Sequence, residues 1–244
     1  MAERLSQEAS VGSIVASHPE AAYVFRKHGI DFCCHGKQPL GEACGEKSLD
    51  PNEVLREISA SLAEEKPGVA TRTDWTQAPL MELCGHIIAT HHAYLRTELP
   101  RLSQLLDKIH DVHGDVHPEL APLRDLFVAL YGELEEHMLK EEGVLFPLIT
   151  RLETARGLGQ PRPLSHCGSV GNPIAQIEYE HEQAGGALQQ MSGLTAGYSV
   201  PDDACPTFRE TYEALDRLEG DLFQHIHLEN NILHPRAVQL EASF

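Results

Sequence analysis

Two segments of this chain repeat one pattern. HMLKEEGVLFP, from His137 to Pro147, and HIHLENNILHP, from His225 to Pro235, both read histidine, three residues, glutamate, two residues, valine or isoleucine, leucine, one residue, proline. Residues four apart on an α-helix point the same way, so His137 with Glu141, and His225 with Glu229, each form a two-ligand face. Each pair lies within a long stretch whose apolar residues recur at three-and-four spacing, as in Leu123, Leu126, Phe127, Leu130 and Leu134. Carboxylates carried on such faces enter a helical core, where burial without a counter-charge is strongly unfavourable and a bound cation relieves the penalty. A mixed nitrogen and oxygen donor set suits iron or manganese, with carboxylates able to bridge two metals, better than a closed zinc site rich in thiolate.

The repeat sits in alternate members of four long helical patterns, at about 79–109, 118–152, 173–194 and 205–240, joined by Gly- and Pro-bearing connections. No run shows the alternation of a half-buried strand. The expectation is an all-α chain built on an up-down four-helix bundle, with a connection over 156–171 long enough for a role of its own. Ahead of the bundle, residues 1–65 read as a small helical domain. It has short helices at 13–18 and 21–27, a stop at Gly29, the turn-like DFCCHGKQPL, and an amphipathic helix from Asp50 with Pro51 first and Val54, Leu55, Ile58 and Leu62 along one stripe. Residues 66–76, with Pro67, Gly68 and several threonines, read as a linker, leaving 77–244 for the bundle.

Coordination then needs donors from the other two long helices. The third offers His181 in EYEHEQAG, and the first offers His91 and His92 in THHAYLRTELP. His92 is favoured because Leu95 and Leu99 share its face, whereas His91 matches Ile87 and Tyr94. His86, His110, His113, His117, His166, His227 and His234 are read as surface or supporting residues. A ferritin-like centre would need a Glu-x-x-His pair on each of two helices, and only Glu178 with His181 fits. The zinc-protease pattern His-Glu-x-x-His also fails, since Gly185 follows His181 and Glu182 where the second histidine should stand.

Thirty-seven acidic residues against 19 basic ones give a formal charge of −18, a field that repels phosphate backbones and anionic lipid and attracts divalent cations. Nucleic acid and membrane are therefore not expected as partners. The first residues lack a basic flank and apolar run, and no stretch approaches the roughly 20 apolar residues of a membrane span. A cytoplasmic location is expected. Of the six cysteines, Cys33 and Cys34 are adjacent and form only a strained disulfide, so they read as a metal clamp or redox pair. Cys44 is near enough in sequence to join them, while Cys84, Cys167 and Cys205 read as ordinary thiols.

These motifs, in this order, resemble the iron-sulfur cluster repair di-iron proteins, also called repair of iron centres or ScdA/YtfE-type proteins. GIDFCCHGKQPLGEAC is similar to the small ScdA-type domain of that family, and HHAYLRTELP, HMLKEEGVLFP, EHEQAG and HIHLENNILHP to its hemerythrin-like bundle. The resemblance implies two non-haem irons, oxo- or hydroxo-bridged, with His92, His137, His181 and His225 as terminal ligands and Glu141 and Glu229 bridging. It implies repair of iron-sulfur proteins damaged by nitrosative or oxidative stress, by iron donation, with Cys33 and Cys34 serving transfer or docking. Reduction of nitric oxide to nitrous oxide, or binding of nitric oxide or dioxygen without turnover, are the alternatives, and a homodimer is open. Two departures stand out: Cys33-Cys34-His35-Gly36 where the family carries CCGG, and Leu233-His234-Pro235 where it carries LFP.

Overall fold

A computed structural model describes residues 5–63 and 73–244, so of the linker expected over 66–76 the part 66–72 lies outside the described residues. The chain is all-α, and the described residues contain no strand beyond an isolated bridge between Ser10 and Pro39.

Among the described residues, four short helices come first: α1 (Val11–Ser17), α2 (Ala21–Lys27), α3 (Leu40–Glu46) and α4 (Pro51–Ala63). The Ser10 hydroxyl caps α1 by accepting from the Ser13 amide at 3.3 Å. Helix α2 ends because Gly29 takes φ +65°, which lets the Gly29 amide donate to the Arg26 carbonyl and the Ile30 amide to the Phe25 carbonyl. Val11, Ile14, Val15, Phe25, Ile30, Phe32, Leu40 and Ile58 bury their side chains together, and Ile226 from the last helix completes that core.

Four long helices follow. Helix α5 covers 80–113, α6 covers 120–157, α7 is Gly171–Leu194 and α8 covers 206–242. Three of them contain one wide π turn: Ile88–His92 in α5, Glu141–Leu145 in α6 and Leu228–Leu233 in α8. In α6 and α8 the helix runs on through the proline of the repeated motif, Pro147 and Pro235. A π turn just upstream rearranges the carbonyls that a proline, having no N–H, would leave without a donor in a regular helix.

Packing divides the chain into two compact units. One takes the chain up to Cys84 together with Leu152–Arg162 and Phe223–Phe244; the other takes Gly85–Arg151 and Pro163–Leu222. The second unit is cored by Leu95, Leu99 and Leu102 of α5, Leu123, Phe127 and Leu130 of α6, Ile177, Leu188 and Met191 of α7, and Phe208, Leu215 and Leu218 of α8. In the first unit, the Glu153 carboxylate accepts from the Leu80 and Met81 amides at 2.7 and 2.8 Å, which satisfies the first turn of α5.

The same unit contains a polar fastening between the small domain and α8. Asn231 Nδ2 donates to the carbonyls of Phe32 and Cys33 at 3.0 and 3.2 Å, and Asn230 Nδ2 reaches the Cys33 carbonyl at 3.3 Å. The Asn231 amide fills the space where Gly12 and Gly36 lack side chains; a Cβ on Gly12 would also stand 2.8 Å from the Gly36 carbonyl oxygen. Gly36→Ala is therefore expected to push the amide off its two carbonyls and to cost about 1–3 kcal/mol, read as a lowered urea midpoint at unchanged slope.

Candidate metal centre

The repeated motifs and the two neighbouring helices deliver histidine and glutamate side chains to buried positions. Glu141, Glu229 and His92 are fully buried, and His137, His181 and His225 nearly so. His92, His137, Glu141 and His181 bring their ligand atoms together within one unit, and His225 stands beside Glu229 in the other.

The detailed geometry follows from helix spacing. On α6, His137 Nε2 stands 3.3 Å from Glu141 Oε1, four residues on. On α8, His225 Nε2 stands 3.3 Å from Glu229 Oε1, again four residues on. From α5, His92 Nε2 approaches the other oxygen of the same α6 carboxylate, Glu141 Oε2, at 3.2 Å. From α7, His181 Nε2 lies 3.2 Å from His137 Nε2. Glu141 thus turns one oxygen to each of two imidazoles from different helices.

The outer face of the centre is also built. His92 Nδ1 is 2.6 Å from Glu142 Oε1, which Arg96 holds at 2.6 Å. His137 Nδ1 is 3.0 Å from Glu180 Oε2, whose partner oxygen accepts from Lys140 at 2.7 Å and from Gln176 at 2.8 Å. Burial raises the Glu180 pKa, but the bonds from Lys140, Gln176 and His137 together outweigh it and hold this carboxyl ionised, down to about 2. Glu142 is likewise lowered: burial opposes, while His92 and Arg96 prevail. An ionised carboxylate at Nδ1 fixes the ring proton there and leaves the Nε2 lone pair facing inward.

This donor set fits a metal pair. For a cation bound at about 2.1 Å, neighbouring ligand atoms on one coordination sphere stand about 3 Å apart, close to the 3.2–3.3 Å spacings of His92, His137, His181 and Glu141. Two inward-facing imidazole nitrogens at 3.2 Å repel unless a proton or cation lies between them.

The three π turns carry or border these ligands: His92 ends the first, Glu141 begins the second, and Glu229 lies in the third. Wide turns of this kind recur at functional sites because they re-aim a side chain. Nothing in the residue types announces them. Glu142 and Glu180 were also missed, although each adjoins a ligand in sequence. A neighbour one residue along a helix lies about 100° round it, so adjacency gave no reason to bring their carboxylates to a ring.

The remaining histidines divide. His91 Nδ1 pairs with Asp221 Oδ1 at 2.9 Å, away from Glu141. His227 and His234, read from sequence as surface or supporting residues, are both buried. His227 packs edge-on against Phe32 with ring centroids 5.7 Å apart, and burial lowers its pKa to about 4 against an opposing bond to the Phe32 backbone. Its place in the core of the small domain's contact with α8 was invisible in a pattern that looks only along one helix.

Cys33 and Cys34 are thiols with sulfurs 3.7 Å apart, Cys33 buried and Cys34 half-buried. Cys44 packs into the small-domain core, where burial raises its pKa, and is not among the donors that group around Asp31.

Comparison with known proteins accords with this geometry. Residues 85–237 match the family described as "Hemerythrin HHE cation binding domain", and residues 7–62 match the "Domain of Unknown function (DUF542)" of the ScdA N-terminal type. The chain is 35% identical over 235 residues to the iron-sulfur cluster repair protein YtfE of Pectobacterium carotovorum subsp. carotovorum (strain PC1), covering 96% of this chain and 99% of that one. It is 36% identical over 235 residues to the protein of the same name from Dickeya chrysanthemi (strain Ech1591), with the same coverage. The Escherichia coli O157:H7 YtfE is 37% identical over 228 residues, 93% of this chain and 96% of that one. With a hemerythrin-like four-helix bundle behind a small helical ScdA-type domain, the chain belongs to the YtfE family of iron-sulfur cluster repair proteins.

Proposed function

We propose that the buried histidine–glutamate centre holds two non-haem iron ions, and that the protein repairs damaged iron-sulfur clusters by donating ferrous iron. The observation that carries this is Glu141, fully buried, with each carboxylate oxygen beside a different inward-facing imidazole, 3.2 Å to His92 and 3.3 Å to His137. A carboxylate with an imidazole at each oxygen offers mixed nitrogen and oxygen donors to adjacent cations. His92, His137, Glu141, His181, His225 and Glu229 would hold the two ions. The bound pair would supply exchangeable ferrous iron and a place for nitric oxide or dioxygen to bind.

The chain's own residues set the character of the centre. Glu142 and Glu180 hold the His92 and His137 rings, so the nitrogen donors stay aimed when iron leaves. Oxygen and nitrogen donors bind iron less tightly than a thiolate cage, which favours release. Residues 1–65 form the small domain, 66–76 the linker and 77–244 the bundle domain, and Cys33 and Cys34 assist transfer or docking to the client protein. A cytoplasmic setting accords with six cysteines carrying no disulfide and with the lack, among the described residues, of any helix long and apolar enough to cross a membrane.

Glu180→Gln is expected to weaken iron retention by about 10–100-fold while leaving the helical content unchanged, measured as iron half-life against a ferrous chelator. An unaltered half-life would remove Glu180 from its assigned role. Function is tested by mixing the iron-loaded protein anaerobically with an apo-cluster protein and sulfide, and separately with nitric oxide. Rebuilding of the cluster with matching iron loss supports donation. Catalytic nitrous oxide would instead make the protein a reductase, and a stable iron-nitrosyl without transfer would make it a binder.

A further inference from the structure

Away from the histidine–glutamate centre, the loop between α2 and α3 brings a second set of metal donors together. Ligand atoms of Asp31, Cys33 and Cys34 lie within 4.8 Å of one another. The two sulfurs are 3.7 Å apart, far beyond the ~2.05 Å of a disulfide and close to the separation of about 3.8 Å between two thiolates sharing a tetrahedral cation at about 2.3 Å each. Asp31 Oδ1 stands 3.2 Å from Cys33 Sγ, near the corresponding oxygen–sulfur edge of about 3.5 Å.

Hydrogen bonds of the loop itself hold this arrangement. Asp31 Oδ1 accepts from the Cys33 and Cys34 amides at 3.0 and 2.9 Å, which folds the two cysteines back over the carboxylate. Asp31 Oδ2 is 2.6 Å from His35 Nδ1, on an exposed ring. Carboxylates that ligate metals are themselves held by hydrogen bonds, as Asp31 is here. On the other side, Asn230 and Asn231 hold the Cys33 carbonyl. Cys33 is buried, whereas Cys34 and His35 reach the surface, so one side of the cluster is open to solvent.

We propose that Asp31, Cys33 and Cys34, steadied by His35, form a second cation site, separate from the histidine–glutamate centre and selective for a thiophilic divalent ion such as Zn²⁺ or Co²⁺. Two thiolates and a carboxylate supply three positions, and the fourth faces water, as in sites that exchange their metal. Binding displaces the two thiol protons to solvent, and no electron transfer is involved. The inference stands independently of iron donation by the bundle.

The test uses the full-length reduced chain with its histidine–glutamate centre as purified, titrated anaerobically with Co²⁺. The expected result is about one additional cobalt per chain with intense near-ultraviolet thiolate-to-cobalt absorption, displaced by Zn²⁺. Cys33→Ser with Cys34→Ser should abolish that absorption and leave the original iron in place. Asp31→Asn and His35→Gly should each weaken cobalt binding about tenfold or more. In the unaltered chain, Zn²⁺ should also slow alkylation of Cys34, mapped by mass spectrometry, which guards against a double variant that does not fold. Absence of thiolate–cobalt absorption in the unaltered chain, its persistence in the double variant, or an alkylation rate indifferent to Zn²⁺ would each overturn the proposal.

Discussion

Glu229→Ala and His137→Ala proteins are expected to purify with about half or less of the iron that the unaltered chain retains. Each substitution removes a donor from a set in which neighbouring ligand atoms stand 3.2–3.3 Å apart. Metal analysis with Mössbauer spectroscopy reads the loss. Two irons of unchanged spectrum in both variants would refute the ligand assignment.

Stripping the metal should also destabilise the fold by several kcal/mol and lower the melting temperature by about 10 °C or more. Glu141 and Glu229 are fully buried beside histidines, and a bound cation adds a counter-charge that protons would otherwise have to supply. Calorimetry before and after anaerobic chelation reads the loss. Restoration of the original transition on adding back ferrous iron shows that the chain itself was undamaged. A melting temperature unmoved by chelation would mean that the carboxylates are compensated by the protein alone.

Much of the architecture was legible because helices write their burial into sequence every three or four residues. The long helices were expected within a few residues of their observed ends, and α7 was expected at 173–194 against Gly171–Leu194. The four-residue spacing of His137 and Glu141 placed them on one face, and the apolar company of Leu95 and Leu99 separated His92 from His91. What could not be read depends on contacts between distant parts of the chain. No residue type marks a π turn, which arises where packing and ligand geometry together reward a wider turn. Glu180 acts on His137 from another helix, and His227 and Asn231 look like ordinary polar positions until Phe32 and Gly36 are brought against them.

Glu229, Asn230 and Asn231 are consecutive residues of one π turn, the first turned to a candidate ligand histidine and the next two gripping the backbone of the vicinal thiols. One short stretch of backbone thus carries a buried carboxylate and the two amides that hold the Cys33 peptide, so a substitution that shifts this turn is expected to disturb both together.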